Sequence, residues 1–163
     1  MKKIVLIGIL LTLFQYSPAQ NYKFQALFIY NIVKRVNWPS PSDNFVIGVM
    51  GSKELQKELI GISKKQKLGG KQIKIINVSS KEELNDIHVL YFSRSSSSKL
   101  NDIQAQLKSK PILLIGEKSG LKGVGINFID NSNEIKFEIY PANIKDHQLT
   151  LATSLLSLGE VKQ

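Results

Sequence analysis

The sequence predicts an α/β fold: a single domain with a mixed, mostly parallel sheet and helices on both faces. Two observations carry that expectation. Apolar segments of strand length alternate with segments of helical periodicity, and such alternation calls for a parallel sheet covered on both sides. Near the C-terminus two strand-like segments, 125–129 and 135–140, follow one another across Asp130-Asn131-Ser132-Asn133. That hairpin adds an antiparallel part.

The elements read in order as follows. Residues 21–37 place Phe24, Leu27, Phe28, Ile32 and Val36 near helical spacing, and Pro39 disfavours helical geometry at Trp38, so the helix is expected to end near Asn37. Residues 39–43 form a Pro/Ser loop. Residues 45–50 are a short apolar strand; Gly51-Ser52 then opens a helix over 53–62, with Ser52 as its N-cap and Leu55, Leu59 and Ile62 on its apolar edge. Leu68-Gly69-Gly70 is a turn before a strand at 72–78, in which Ile73 and Ile75 share a face. A short helix at 81–85 is capped by Ser80, a strand runs from 87 to 93, and a Ser-rich turn at 94–98 leads into a helix at about 99–108 with Ile103 and Leu107 buried. Pro111 admits a strand at 112–116. Leu149, Ala152, Leu155, Leu156 and Leu158 predict an apolar terminal helix, with Pro141 at or before its start.

The N-terminus reads as an address. Met1-Lys2-Lys3 is basic, residues 4–14 are apolar except for Gly8 and Thr12, and small residues stand at Ser17 and Ala19. That order is a secretory signal peptide, too short for the ~20 apolar residues of a spanning helix. The expected organisation is therefore a signal peptide over 1–19 and a domain over 20–163, soluble after cleavage. Two lysines leave with the leader, which lowers the formal net charge from +9 to +7. Outside the cytoplasm such charge points to anionic cell wall, lipid head groups or an acidic partner rather than nucleic acid. The densest basic run, Lys64, Lys65, Lys67 and Lys71 with Lys74, contains no aromatic residue to stack on a base. It reads as a solvated loop or as a contact for an anionic surface.

Chemistry is sparse. The chain has no Cys and two His, which excludes a disulfide scaffold, a Cys nucleophile and a thiolate metal site. Gly116-Glu117-Lys118-Ser119-Gly120 misplaces the Ser of a nucleophile elbow. Gly123-Val124-Gly125 has Phe128 where a dinucleotide fingerprint needs its third Gly, and it runs into a strand. His88 is expected in a strand at a sheet edge or surface, His147 near a helix start, and neither has a ligand motif beside it. Glu134 and Glu138 are spaced to share one outer strand face. The reading is of a protein that is not an enzyme and carries no cofactor or metal.

Residues 30–39, YNIVKRVNWP, resemble the opening motif of the YfiR family of exported bacterial proteins: an aromatic-Asn pair, an apolar-basic helix, then Trp-Pro. FVIGVMG (45–51), HVLYFS (88–93), KPILLIGE (110–117), GVGINFID (123–130) and KFEIYPANIKDHQLTLATSLLSLGEV (136–161) continue the resemblance in order. The chain departs from the family in lacking cysteines, in Tyr140 where an Asn is usual and in Val124 for the second Gly of a turn.

The resemblance implies a periplasmic regulator that restrains a membrane diguanylate cyclase by contact and is released when an outer-membrane lipoprotein captures it. The partners so implied are a membrane signalling protein and an outer-membrane lipoprotein, with no nucleic acid and with homodimerisation open. Trp38, Tyr30 and Asn31 are candidate partner-contact or packing residues; Lys64, Lys65, Lys67 and Lys71 are candidate contacts for an anionic surface. The alternative is a cell-wall or small-ligand binding protein of the same fold.

Overall fold

Five parallel strands form the centre of the sheet in a computed structural model that describes residues 18–39, 43–131 and 134–163. The chain enters through α1 (Pro18–Val33) and β1 (Val36–Asn37). It continues through β2 (Asn44–Met50), α2 (Lys53–Ser63), β3 (Lys67–Leu68), β4 (Lys71–Asn77) and β5 (Val89–Phe92) to α3 (Leu100–Leu107) and β6 (Leu113–Gly116). The strands β7 (Ile126–Asn131) and β8 (Glu134–Ile139) follow. Last come α4 (Pro141–Asp146), β9 (Thr150–Leu151), α5 (Thr153–Leu156) and β10 (Glu160–Val161). The order in the main sheet is β10-β8-β7-β6-β5-β2-β4-β3. From β4 to β7 every pair is parallel; β8 runs antiparallel to β7, β3 antiparallel to β4, and β10 parallel to β8. The single α/β domain with a mixed, mostly parallel sheet is as the sequence predicts.

The sheet divides the core in two. On one face Ala26, Ile29, Ile32 and Val33 of α1 and Leu55 and Leu59 of α2 pack on Ile47, Val49, Val89, Tyr91 and Ile115. On the other, Leu100, Ile103 and Leu107 of α3 pack on Leu90, Phe92, Leu114 and Val78. β5 and β6 are buried on both faces, as parallel strands under two helical layers must be. Local signals in the sequence hold here. The Ser52 hydroxyl accepts from the Leu55 N–H at 3.2 Å and caps α2. Gly69 and Gly70, at φ +54° and +82°, turn β3 onto β4. Ser80 and Glu83 form a capping box on a short 3-10 helix, Lys81–Leu84. A 3-10 turn, Arg94–Lys99, leads into α3.

Two expectations fail. The first helix ends at Val33, not near Asn37, because Val36 and Asn37 pair antiparallel with Leu151 and Thr150, and the Ala152 N–H bonds Arg35 O at 2.8 Å. The long terminal helix is replaced by α4, β9, α5 and β10. Gln148 adopts a left-handed conformation, φ +59°, which stops helical propagation after α4 and sends the chain back to β1. The apolar residues are still used: Leu149 and Leu155 are buried in the α1–α2 core, but from a turn and a one-turn helix. The expected signal peptide lies, up to residue 17, outside the described residues, as do positions 40–42 of the Pro/Ser loop and 132–133 of the hairpin turn.

Candidate functional site

Trp38, Phe45 and His88 meet at the end of the sheet where the central parallel strands begin, not at an edge strand. Trp38 follows β1, Phe45 is the second residue of β2 and His88 immediately precedes β5, so the adjacent strands β2 and β5 bring Phe45 beside His88. Trp38 meets Phe45 edge-on with centroids 5.0 Å apart and His88 at 6.0 Å. Phe45 and His88 are tilted rings 4.6 Å apart. Phe45 is buried, while Trp38 and His88 are half-buried, so the cluster is both packing and surface. Such aromatic pairs contribute about 0.5–1.5 kcal/mol beyond their area.

His88 is held at backbone level. Its N–H donates to Val46 O at 2.9 Å, and its Nδ1 accepts from the Val46 N–H at 3.2 Å. An Nδ1 used as an acceptor carries no proton, which leaves the neutral ring protonated on Nε2. Burial, and then the Lys71 charge, hold its pKa below the ordinary value.

Two open clefts flank the cluster, and Trp38 and His88 line both. One, of about 780 Å³, is bordered by Asp43, Asn44, Lys74, Asp86 and Lys110. The other, of about 420 Å³, has an apolar lining of Val33, Val36, Phe45 and Leu68, with Lys34 and Lys71 as its charged side chains among the described residues. The first mixes both charge signs; the second is apolar with a positive rim.

The other residues singled out in the sequence fall into place around this end. The Tyr30 hydroxyl reaches Gln66 Oε1 at 3.1 Å and Lys67 O at 3.3 Å, so it clasps the turn after α2. Lys34 Nζ lies 5.3 Å from the Tyr30 ring centroid. Asn31 faces outward; its Nδ2 donates to Leu27 O within α1 at 3.0 Å. The basic run is divided: Lys64, Lys65 and Lys67 are exposed, Lys71 borders the smaller cleft and Lys74 the larger. The run is not a bare loop, since Leu68 is buried within it.

Two clusters escape a reading of the sequence. At the opposite end of the sheet, where β2 and β5 stop, Ser93 Oγ lies 3.0 Å from Ser95 Oγ and 3.2 Å from Ser96 Oγ, packed over Gly51. Open sheets of this strand order hold ligands at that crevice. Here the serines fill it, and Gln25 of α1 spans it, donating to Glu117 Oε1 at 3.2 Å and accepting from the Tyr91 hydroxyl at 3.4 Å. The second cluster is buried. Asn127 Nδ2 donates to Glu138 Oε2 at 2.9 Å and to Lys118 O, and its Oδ1 accepts from the Lys118 N–H at 3.1 Å. The Tyr140 hydroxyl donates to the same Glu138 oxygen at 2.9 Å. Glu138 therefore faces inward, against the outer face its spacing suggests. Antiparallel pairing sets it opposite Asn127 on β7. Tyr140, which stands where the resembled family has Asn, completes this network. His147 is also buried, its Nδ1–H donating to Lys110 O at 3.1 Å.

Among the described residues no group of His, Cys, Asp and Glu is placed to hold a metal ion, and no helix is long and apolar enough to cross a membrane. The fold and its aromatic cluster define a doubly wound α/β domain whose open sites are surface clefts at the start of the strands. The chain belongs to the YfiR/HmsC-like family, whose pattern matches residues 22–160. That family comprises periplasmic regulators of cyclic-di-GMP signalling, and it is regulatory rather than catalytic. No curated protein matches the chain.

Proposed function

We propose that this protein is an exported regulatory binding protein, an inhibitor or sensor that acts on a membrane signalling enzyme of the diguanylate cyclase type through protein contact. In this reading residues 1–19 are removed on export, and the mature chain works in the periplasm. The observation that supports it most is the half-buried Trp38–His88 pair between two clefts, in a chain of a family of periplasmic regulators. Aromatic residues in partly enclosed surroundings are the common anchors of protein interfaces. Tyr30 and Asn31 lie in the last turn of α1, before β1 and Trp38, and extend the contact surface. An outer-membrane lipoprotein that competes for the surface, and self-association through it, complete the reading.

The test is co-purification of the protein with the periplasmic part of a membrane diguanylate cyclase of its own host, with cellular cyclic-di-GMP measured alongside. Trp38→Phe keeps an aromatic ring on Phe45 and removes the indole N–H that donates to Val33 O at 3.5 Å. It is expected to weaken association far more than it lowers the melting temperature and to change cyclic-di-GMP. Intact association and signalling in Trp38→Phe and Asn31→Ala would overturn the assignment of this surface.

The smaller cleft favours a second reading, a small-ligand or cell-wall binding protein. Its apolar lining with Lys34 and Lys71 suits a compact anion with an apolar body. A ligand-induced melting shift lost in Lys71→Glu would support it over regulation by protein contact.

A further inference from the structure

We propose that the outward faces of α1 and α2 form a single surface that seats this protein on an anionic lipid bilayer. The inference goes beyond the regulatory reading and does not depend on it.

Helical geometry places the relevant residues. In α1 the buried positions are Gln25, Ala26, Ile29, Ile32 and Val33. At 100° per residue the opposite side carries Lys23, Phe24, Leu27, Asn31 and Lys34, all exposed. In α2 the buried positions are Leu55 and Leu59, and the opposite side carries Lys53, Glu54, Lys57 and Ile60 with Lys64 at its C-cap, again all exposed. The two helices pack against each other and cover the same face of the sheet, so both stripes point away from it together.

Three features of this surface occur together. It carries Phe24, Leu27 and Ile60, each at least 37% exposed; the other exposed large hydrophobics among the described residues are Leu158 and Val161, at the chain end. The two stripes hold five lysines and one acid, Glu54; α1 has no acidic residue, and Glu58 of α2 lies toward its flank. The helical layer on the other side of the sheet differs: α3 exposes Asn101, Asp102, Gln104, Ala105 and Gln106, with no large apolar side chain.

Large apolar side chains interspersed with lysines on one helical face are the pattern of interfacial attachment. The apolar groups enter the head-group region, and the flexible lysines reach lipid phosphates while their stems cover apolar surface. Charge complementarity between the lysines and lipid phosphates selects an anionic bilayer, and the apolar residues set among them give it an interfacial anchor.

The test is sedimentation of the exported chain, without residues 1–19, with vesicles of phosphatidylglycerol and phosphatidylethanolamine, and with vesicles of phosphatidylcholine alone. The expected result is binding to the anionic vesicles only, weakening as salt rises. Neutralising Lys53, Lys57 and Lys64 to Gln should lower affinity roughly 100-fold, at about fivefold per lysine. Replacing Phe24, Leu27 and Ile60 by Ser should remove about tenfold or more, including what survives at high salt. Neutralising Lys81, Lys99 and Lys108, on the other helical layer, changes net charge equally and should have little effect. Equal binding to both vesicle types, no binding to either, or equal losses in the two lysine sets would overturn the proposal. So would binding of an acidic protein, but not of bare anionic vesicles, through the same lysines.

Discussion

The indole of Trp38 stands edge-on to the buried ring of Phe45, at 75° and 5.0 Å between centroids. This contact ties the segment after α1 to the first strand of the central sheet, and it leaves the other side of the indole to the clefts. Because Trp38 is half-buried, Trp38→Ala is expected to cost about 2–3 kcal/mol, less than the ~3–5 kcal/mol of a fully buried Trp. Chemical denaturation would measure it. A loss below about 0.5 kcal/mol would make the ring an interface group with no packing role.

His88 should make stability depend on pH near neutrality. Its folded pKa lies below the ordinary 6.5, through burial first and the Lys71 charge second. Between that lowered value and 6.5 the unfolded chain binds more protons, so stability rises with pH across this window. The contribution is fully present above about pH 6.5 and is lost as pH falls through the folded value. His88→Asn retains an acceptor for the Val46 N–H and removes the titration. Its melting temperature should be flatter than the wild type's over that window; an unchanged slope would exclude His88 as the source.

The Asn127–Glu138–Tyr140 network predicts a second, more acidic transition. Burial works to raise the Glu138 pKa, but the hydrogen bonds from Asn127 and Tyr140, a backbone donor at Gly120 and the Lys162 charge outweigh it and leave the value lowered from 4.5. Burial, and then the same contact, push the Tyr140 hydroxyl up to about 12. A lowered carboxylate stabilises the fold above about pH 4.5 and stops doing so as pH falls through the folded value. Asn127→Ala removes one donor from the carboxylate and leaves the Lys118 N–H and C=O without their side-chain partner, and is expected to cost about 2–3 kcal/mol at pH 7. Glu138→Gln should lessen the acid sensitivity. Acid melting curves of the two variants, compared with the wild type, check both statements.

Gly51 should be intolerant of any side chain. Its φ of +85° is left-handed, and an added Cβ would collide with the hydroxyls of Ser93 and Ser96. Gly51→Ala is expected to lose about 1–3 kcal/mol to backbone strain alone. Ser96→Ala in that background removes one hydroxyl clash and leaves the strain, so it should recover only part of the loss in thermal melts.

Export is checked by mass. Protein recovered from the periplasm should lack its first 19 or 20 residues by intact-mass analysis, as the basic start, the apolar stretch and Ala19 lead one to expect. Full-length chain retained in the cytoplasm would contradict it.

Several features were legible in the sequence because their causes are local. Ser52 caps α2 with its own hydroxyl, Gly69 and Gly70 turn a hairpin because they accept positive φ, and the short apolar and aromatic run 89–92 reads as a buried strand. The alternation of such segments with helical periodicity determined the fold class and both helical layers. The lysine run was legible as charge, but not its division between solvent and two clefts. What tertiary structure decided is pairing between distant segments. Val36 and Asn37 leave the helix because Leu151 and Thr150 offer them strand partners. The leucines after 148 look helical by spacing, yet the left-handed Gln148 and the return to β1 and β8 divide them. Glu138 turns inward because β7 sets Asn127 opposite it, and Trp38 finds His88 only because β2 and β5 are neighbours. Periodicity reports which face of an element is apolar; which partner that face or edge meets depends on contacts many residues apart, and those are fixed only when the whole sheet assembles.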